Sequence, residues 1–257
     1  MNRSLTIEED NLSVAWAKAM LHVFEAGEIP TLTVVIRHFP DGNSGEVPRI
    51  RRLLDDALGA GRTPLSCHEV ANTIFPISLW NPQVERSQLY ERYRRIMPRV
   101  LRKRRNRHGV YFQRLISFGH DSEYEGGVNQ LEHIIQTWNG GNHRRSALQA
   151  AIFDPREDHS HQRQRGFPCL QQVAFAPQAS DGLSVTGFYA TQYMFQRAYG
   201  NYLGLSRLGR FVAHAIDRRL TQVTCVASPA VRDGTKTSLR PLMDAIREIL
   251  DQAEVTS

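Results

Sequence analysis

Gly166-Phe-Pro-Cys-Leu-Gln-Gln-Val-Ala-Phe-Ala-Pro-Gln-Ala-Ser-Asp-Gly-Leu-Ser-Val-Thr-Gly-Phe-Tyr189 is the stretch on which the reading of this 257-residue chain turns. Residues 170–176 and 183–189 are rich in apolar and β-branched side chains, which predicts two strands. Asp181-Gly182 supplies the turn between them, because glycine readily takes a positive φ. Cys169 follows Pro168 at the entrance to the first strand.

Outward from this pair, periodicity predicts helices over 12–25, 48–58, 129–138, 193–216 and 239–252, and strands over 31–36, 109–113, 145–153 and 222–227. Turn residues fill 40–45. Strands and helices mix without strict βαβ alternation, which predicts an α+β fold with a largely antiparallel or mixed sheet flanked by helices. No repeat, flexible linker or charged tail marks a boundary, so 1–257 reads as one domain.

The composition, 41% hydrophobic and 23% charged, excludes a disordered or fibrous chain. No apolar run approaches a membrane span, and the start, Met1-Asn-Arg-Ser-Leu-Thr-Ile-Glu-Glu-Asp10, is acidic where a secretory signal is basic and then apolar. The expectation is a cytoplasmic protein with no membrane partner. Three scattered cysteines, Cys67, Cys169 and Cys225, are too few for a disulfide framework or a zinc site, which leaves buried thiols or a catalytic thiolate.

The net charge of +6 is unevenly placed. The segment that opens on Arg86 and closes on Arg107 holds ten basic residues and one acid, Glu91, so the rest of the chain sums to −3. Leu89, Tyr93, Ile96 and Val100 recur there at helical spacing, with the arginines on the other face and Pro98 expected to break or restart the helix. A solvated basic face is the ordinary meaning of such a run; a phosphate or polynucleotide surface is the other. Cys169 has its own cationic surroundings in sequence, Arg163, Arg165 and the doublet Arg144-Arg145, and positive charge lowers a thiol's pKa. A buried inert thiol is the alternative.

Six segments in order carry a resemblance: Gly127-Val-Asn-Gln-Leu-Glu-His-Ile-Ile135, Asn142-His-Arg-Arg-Ser146, Ile152-Phe-Asp-Pro155, Gly166-Phe-Pro-Cys-Leu-Gln-Gln172, Asp181-Gly-Leu-Ser184 and Tyr199-Gly-Asn-Tyr202. Upstream, Gly109-Val-Tyr-Phe-Gln-Arg114 joins them. Together they resemble the thymidylate synthase family of pyrimidine nucleotide C5 methyl- and hydroxymethyltransferases, best over 108–226, with 1–107 divergent.

The resemblance implies a thymidylate-synthase-like domain whose sheet packs in a two-fold homodimer, 5,10-methylenetetrahydrofolate as one-carbon donor, and a pyrimidine nucleotide substrate. It makes Cys169 the nucleophile that adds to pyrimidine C6, and Arg144 and Arg145 the pair that reaches the partner subunit's bound phosphate. Asn201 is implied as the amide on the pyrimidine edge; Tyr111 and Gln171 are implied to be substrate-binding. The family's catalytic glutamate falls, according to register, on Glu69 or on Asn72, three apart on one helical face, and an amide cannot titrate.

The departures point to a non-standard substrate. Leu170 follows the nucleophile where the family has histidine, and Ala190 and Tyr193 replace a phosphate-binding arginine and a folate-pocket aspartate, with Arg197 seven residues beyond Ala190. The sugar-binding element becomes Val226-Ala-Ser-Pro-Ala-Val-Arg-Asp-Gly234, which offers only Ser228, Arg232 and Asp233. A non-catalytic or folate-independent nucleotide or nucleic-acid binding protein on the same scaffold is the alternative expectation.

Overall fold

The two strands read at 170–189 form the middle of a six-stranded sheet in the computed structural model, which describes residues 4–61, 64–119, 127–141, 143–159, 161 and 167–255. The chain opens with β1 (Leu5–Glu9), α1 (Leu12–Ala26), capped by the Asn11 side chain, then β2 (Glu28–Ile29) and β3 (Leu32–Ile36). Helices α2 (Pro48–Gly59), α3 (Cys67–Ile74), α4 (Ser87–Leu101), α5 (Tyr111–Ile116) and α6 (Gln130–Asn139) follow. Next come β4 (Gln149–Ala151), α7 (Pro155–Asp158), β5 (Leu170–Pro177), β6 (Gly182–Tyr189) and β7 (Gln192–Tyr193). A π-helical turn, Met194–Ala198, leads into α8 (Tyr199–Ala215), and β8 (Arg219–Ala227), β9 (Ala230–Val231) and α9 (Lys236–Val255) complete the chain.

The large sheet runs β1-β3-β8-β6-β5-β4, and β2-β9-β7 make a small one. Pairings β1/β3 and β6/β8 are parallel, while β3/β8, β5/β6 and β4/β5 are antiparallel, so the sheet is mixed. Register gives each face a distinct character. Val34, Cys225, Gly187, Val173 and Ala150 lie in one cross-strand row, and the rows beside it are equally apolar and buried. The alternate positions, Thr33, Val226, Phe188, Thr186 and Ala174 among them, are half-buried or exposed, with Phe188 42% exposed. The helices therefore cover one face, and α1 and α8 are the ones that lie on it.

Helix α8 is wedged between the sheet and α3, and glycine makes the wedge thin enough. A Cβ on Gly200 would stand 2.4 Å from Val70 Cβ and 2.8 Å from the Cys67 carbonyl oxygen, and one on Gly204 would stand 2.9 Å from the Ala71 carbonyl oxygen. The two glycines, one turn apart, let α3 and α8 approach backbone to backbone.

Several predicted elements take another form. The strand expected over 109–113 is helix α5, because Phe112, Leu115 and Ile116 are all buried at helical spacing and Phe112 packs edge-on against Tyr93 and Phe75. Tertiary packing overrides the β-propensity of Val110-Tyr-Phe112. Over 145–153 only Gln149–Ala151 pairs; Arg145–Ala147 forms a 3-10 turn. Helix α4 continues through Pro98 to Leu101, on an exposed face where water solvates the released carbonyl. At the β5–β6 turn Asp181, not Gly182, has the positive φ, +59°; Gly182 is required for room, since a Cβ there would stand 2.9 Å from Thr221 Cγ2. The acidic start, read only as the absence of a signal, is the edge strand β1. Among the described residues no helix is long and apolar enough to cross a membrane.

Gly200→Ala is expected to destabilise the fold by about 2 kcal/mol, an overpacking cost of up to about 3 less about 1 regained in helix propensity. Gly187→Ala, whose Cβ would meet the tip of the Leu205 side chain rather than backbone, is expected to cost less than half as much. Urea unfolding of the two variants checks the difference.

Candidate active site

Cys169 is fixed by its backbone. Its carbonyl accepts from Ala190 N at 2.9 Å, which ties the start of β5 to the end of β6. The Gln171 side-chain amide donates to the Pro168 carbonyl at 2.7 Å and to the Cys169 carbonyl at 3.4 Å. Gln171, expected on the substrate, thus serves the turn that presents the cysteine and does not line the cavity in front of it.

That cavity, of about 400 Å³, collects residues distant in sequence. Cys169 and Phe167 form one wall, Tyr111 at the head of α5 and Val110 another, and Asn201 in the first turn of α8 a third. The Tyr111 ring stacks on Phe167 at a centroid distance of 5.3 Å. Burial pushes the Tyr111 phenol well above its ordinary range, and a neighbouring Cys169 thiolate would push it further, so it stays a neutral hydroxyl. Asn201 is only 4% exposed, yet its amide makes no hydrogen bond among the described residues. Its amide atoms are not sealed from solvent, and the residue lines the cavity, where a ligand or water can satisfy the amide.

Among the described residues the cation that acts on Cys169 is Arg197. Burial raises the thiol's pKa, and the Arg197 guanidinium opposes it. Arg197 comes from the π-helical turn before α8 and lines the cavity; among the described residues it makes no salt bridge, although the buried Asp233 carboxylate is close enough to interact with it electrostatically. Arg144 and Arg145 are exposed at the turn into β4 and do not line this chain's cavity; Arg163 and Arg165 lie outside the described residues, as do Asn142 and Gly166 of the quoted motifs. The sequence placed Arg197 only as seven residues beyond Ala190; what it did not give is the short strand β7 and the π-helical turn that follow Ala190 and set Arg197 at the cavity.

The three substitutes for the sugar-binding element hold backbone instead. Asp233 accepts from Phe195 N at 2.8 Å and Gln196 N at 2.9 Å, anchoring the turn that carries Arg197. Ser228 donates to the Pro30 carbonyl, and Arg232 to those of Phe24 and Gly234. Among the described residues no Asp, Glu or His lines the Cys169 cavity.

Glu69 and Asn72 lie on one face of α3, as their spacing predicts, but line a second cavity of about 230 Å³. The two cavities adjoin, sharing Thr73, Arg105, Asn106, Val110 and Arg197. Glu69 closes the capping box of α3 with Ser66 and stands 3.8 Å from Arg105, while Asn72 accepts from Arg207 at 3.2 Å. Arg105 and Asn106 belong to the basic segment, which therefore reaches the site itself.

Compared with known proteins, the chain matches no family model and no curated sequence.

Arg197→Gln is expected to slow iodoacetamide modification of Cys169 at pH 8 roughly three- to tenfold, because removing the positive charge lowers the thiolate fraction. Arg197→Lys should retain most of the rate. Peptide mass spectrometry of the Cys169 adduct reads both.

Proposed function

We propose that this chain is a thymidylate-synthase-like transferase that delivers a one-carbon unit, as methyl or hydroxymethyl, to C5 of a pyrimidine nucleotide through a Cys169 adduct at C6. One observation carries the reading: Cys169, Tyr111 and Asn201, each singled out by an ordered motif, line a single cavity into which Asn201 brings an unpartnered amide. An amide presents both a donor and an acceptor, which matches a pyrimidine edge.

The chemistry assigns each residue a task. The thiolate forms the S–C6 bond, and the C5=C6 electron pair moves to C5 and, by conjugation, to the C4 oxygen. C5 would then attack the donor's one-carbon unit and lose its proton, and the bond from that carbon to the donor nitrogen would break. Hydride from the donor (methyl product) or water (hydroxymethyl product) would add to the carbon, and the S–C6 bond would break to restore the ring. Arg197 favours the thiolate, and Tyr111 is a neutral hydrogen-bond donor at the cavity wall. With no Asp, Glu or His among the described lining residues, the C5 proton leaves through water or towards Glu69 in the adjoining cavity.

That adjoining cavity suits 5,10-methylenetetrahydrofolate in character: Leu65, Leu79, Ile96, Val100 and Val110 give apolar walls for a flat ring, and Glu69 is an acceptor for its amino edge. When bound, the folate supplies the one-carbon unit. Ala190 and Tyr193, where the family has an arginine and an aspartate, support a non-standard substrate. A second reading, a non-catalytic or folate-independent nucleotide-binding protein on the same scaffold, is favoured by the lack of a carboxylate beside Cys169.

The homodimer belongs to the same proposal. The open sheet face, with Phe188, Val226 and a row of threonines and alanines, is flat and weakly polar, and Arg144 and Arg145 stand exposed at the β4 edge of that sheet. Packing of this face across a two-fold axis would free the two arginines for a partner's cavity.

Two experiments test the proposal. Uridine or deoxyuridine monophosphate labelled with tritium at C5 should lose label to water in the presence of the protein, Cys169→Ala should reduce the loss to background, and Asn201→Ala should slow it about ten- to a hundredfold, one hydrogen-bond network's worth. No exchange with any pyrimidine nucleotide, free or within an oligonucleotide, refutes the C6 adduct. In sedimentation velocity the protein should run as a dimer and Phe188→Glu as a monomer; a monomeric parent removes the cross-subunit role of Arg144 and Arg145.

A further inference from the structure

The basic segment reaches the Cys169 cavity through Arg105 and Asn106. Arg92, Arg95, Arg99 and Arg102 recur at spacings of three and four, so they form a single stripe along α4 and its C-cap, about 15 Å long at 1.5 Å per residue. All four are exposed, and none has a carboxylate partner among the described residues. Arg92 reaches only the Gln88 side chain and the Leu79 carbonyl. At the other end of the segment Arg86 is neutralised by a two-point bond to Glu132, at 2.8 Å on each oxygen. The charges left without a carboxylate partner thus begin one turn into α4 and extend to its C-cap. The stripe runs into Arg105 and Asn106, which form part of the cavity wall.

On the premise that Cys169 acts on a pyrimidine, we propose that the substrate is a pyrimidine within a single-stranded nucleic acid: phosphates lie along the α4 stripe, and one unstacked base enters the cavity beside Cys169. A free mononucleotide has one phosphate, which Arg197 and Arg105 at the cavity suffice to meet, and it cannot span a further 15 Å of arginines. A repeating phosphate chain can, and it offsets the self-repulsion of charges that the slightly acidic remainder of the protein leaves unpaired. Single strands are favoured over duplex because a base inside a stack cannot reach a thiol in a cavity of this size. Tyr193, 47% exposed and lining the cavity, offers the aromatic platform on which such strands stack their bases. This also accounts for a tyrosine where the resembled family has a folate-pocket aspartate.

The test uses the full chain with fluorescein-labelled 12-nucleotide oligouridylate and oligodeoxyuridylate, and with UMP and dUMP as the single-nucleotide controls. With about four phosphates contacted, affinity for the 12-mer should fall with salt at a log–log slope near −2.8, roughly fifty-fold between 50 and 200 mM. The combined Arg95→Gln, Arg99→Gln, Arg102→Gln variant should bring that slope to about −0.7 and lose the advantage of the 12-mer over the mononucleotide. Its circular dichroism and urea midpoint confirm folding. Base entry is read independently by iodoacetamide: the 12-mer should protect Cys169 at low salt and release it at high salt. A 12-mer that binds no better than dUMP at equal nucleotide concentration, a slope unmoved in the triple variant, or binding that leaves Cys169 unprotected each overturns the proposal. Protection by dUMP without a chain-length advantage strikes only the polymer, whereas no protection by any nucleotide together with no C5 tritium release strikes the pyrimidine reading itself.

Discussion

The close crossing of α8 with α3 governs the rest of the structure. Gly200 and Gly204 let the helix backbones approach until Val70 and the Cys67 and Ala71 carbonyls occupy the space of absent side chains. Asn201, next to Gly200, is thereby buried, and its amide has only the cavity to face. The same crossing places Val70 and Thr73 of α3 in the cavity wall and carries Glu69 and Asn72 to its neighbour. A thicker α8 would move these groups apart together, so packing and site are set by one constraint. The far side of α8 rests on β6 and β8, with Gly187 under Leu205, which fixes its distance from β5, the strand that presents Cys169.

Much of this was legible in residue order. The strand pair around Asp181-Gly182, the amphipathic helices and the mixed sheet follow from local periodicity, which is a property of neighbours in sequence. Tyr111, Cys169 and Asn201, which line one cavity, were each picked out by a motif in the sequence. What escaped was decided by contacts at long range. Tyr111 and Phe112 look like strand residues until Phe112 meets Tyr93 and Phe75. Arg197 looks misplaced until a π turn, held by Asp233 from 38 residues away, brings it to the cavity. Ser228, Arg232 and Asp233 look like ligand groups because polarity alone cannot distinguish a side chain that binds substrate from one that satisfies the backbone.

The alternative positions for the catalytic acid show the same limit. Glu69 and Asn72 share a helical face, so periodicity could not choose between them, and the structure gives each a structural partner: the α3 N-terminus for Glu69 and Arg207 for Asn72. Only Glu69 can exchange a proton, and its carboxylate lies across a shared wall from the thiol. Proton transfer over that separation needs intervening water.

Charge gains a more specific meaning than the total of +6 conveyed. Burial raises the pKa of the Cys169 thiol, and the nearby Arg197 opposes that shift. An anionic ligand bound at Arg197 would weaken that opposition, so thiolate formation and phosphate binding compete for one guanidinium. Arg105 relieves the conflict: it reaches the same cavity from the basic segment and shares its charge only weakly with Glu69, at 3.8 Å. A phosphate held at Arg105, at the end of the α4 stripe, leaves Arg197 to the sulfur. On the proposed function, the run of arginine that seemed remote from the chemistry would thus leave one cation in the cavity to act on Cys169.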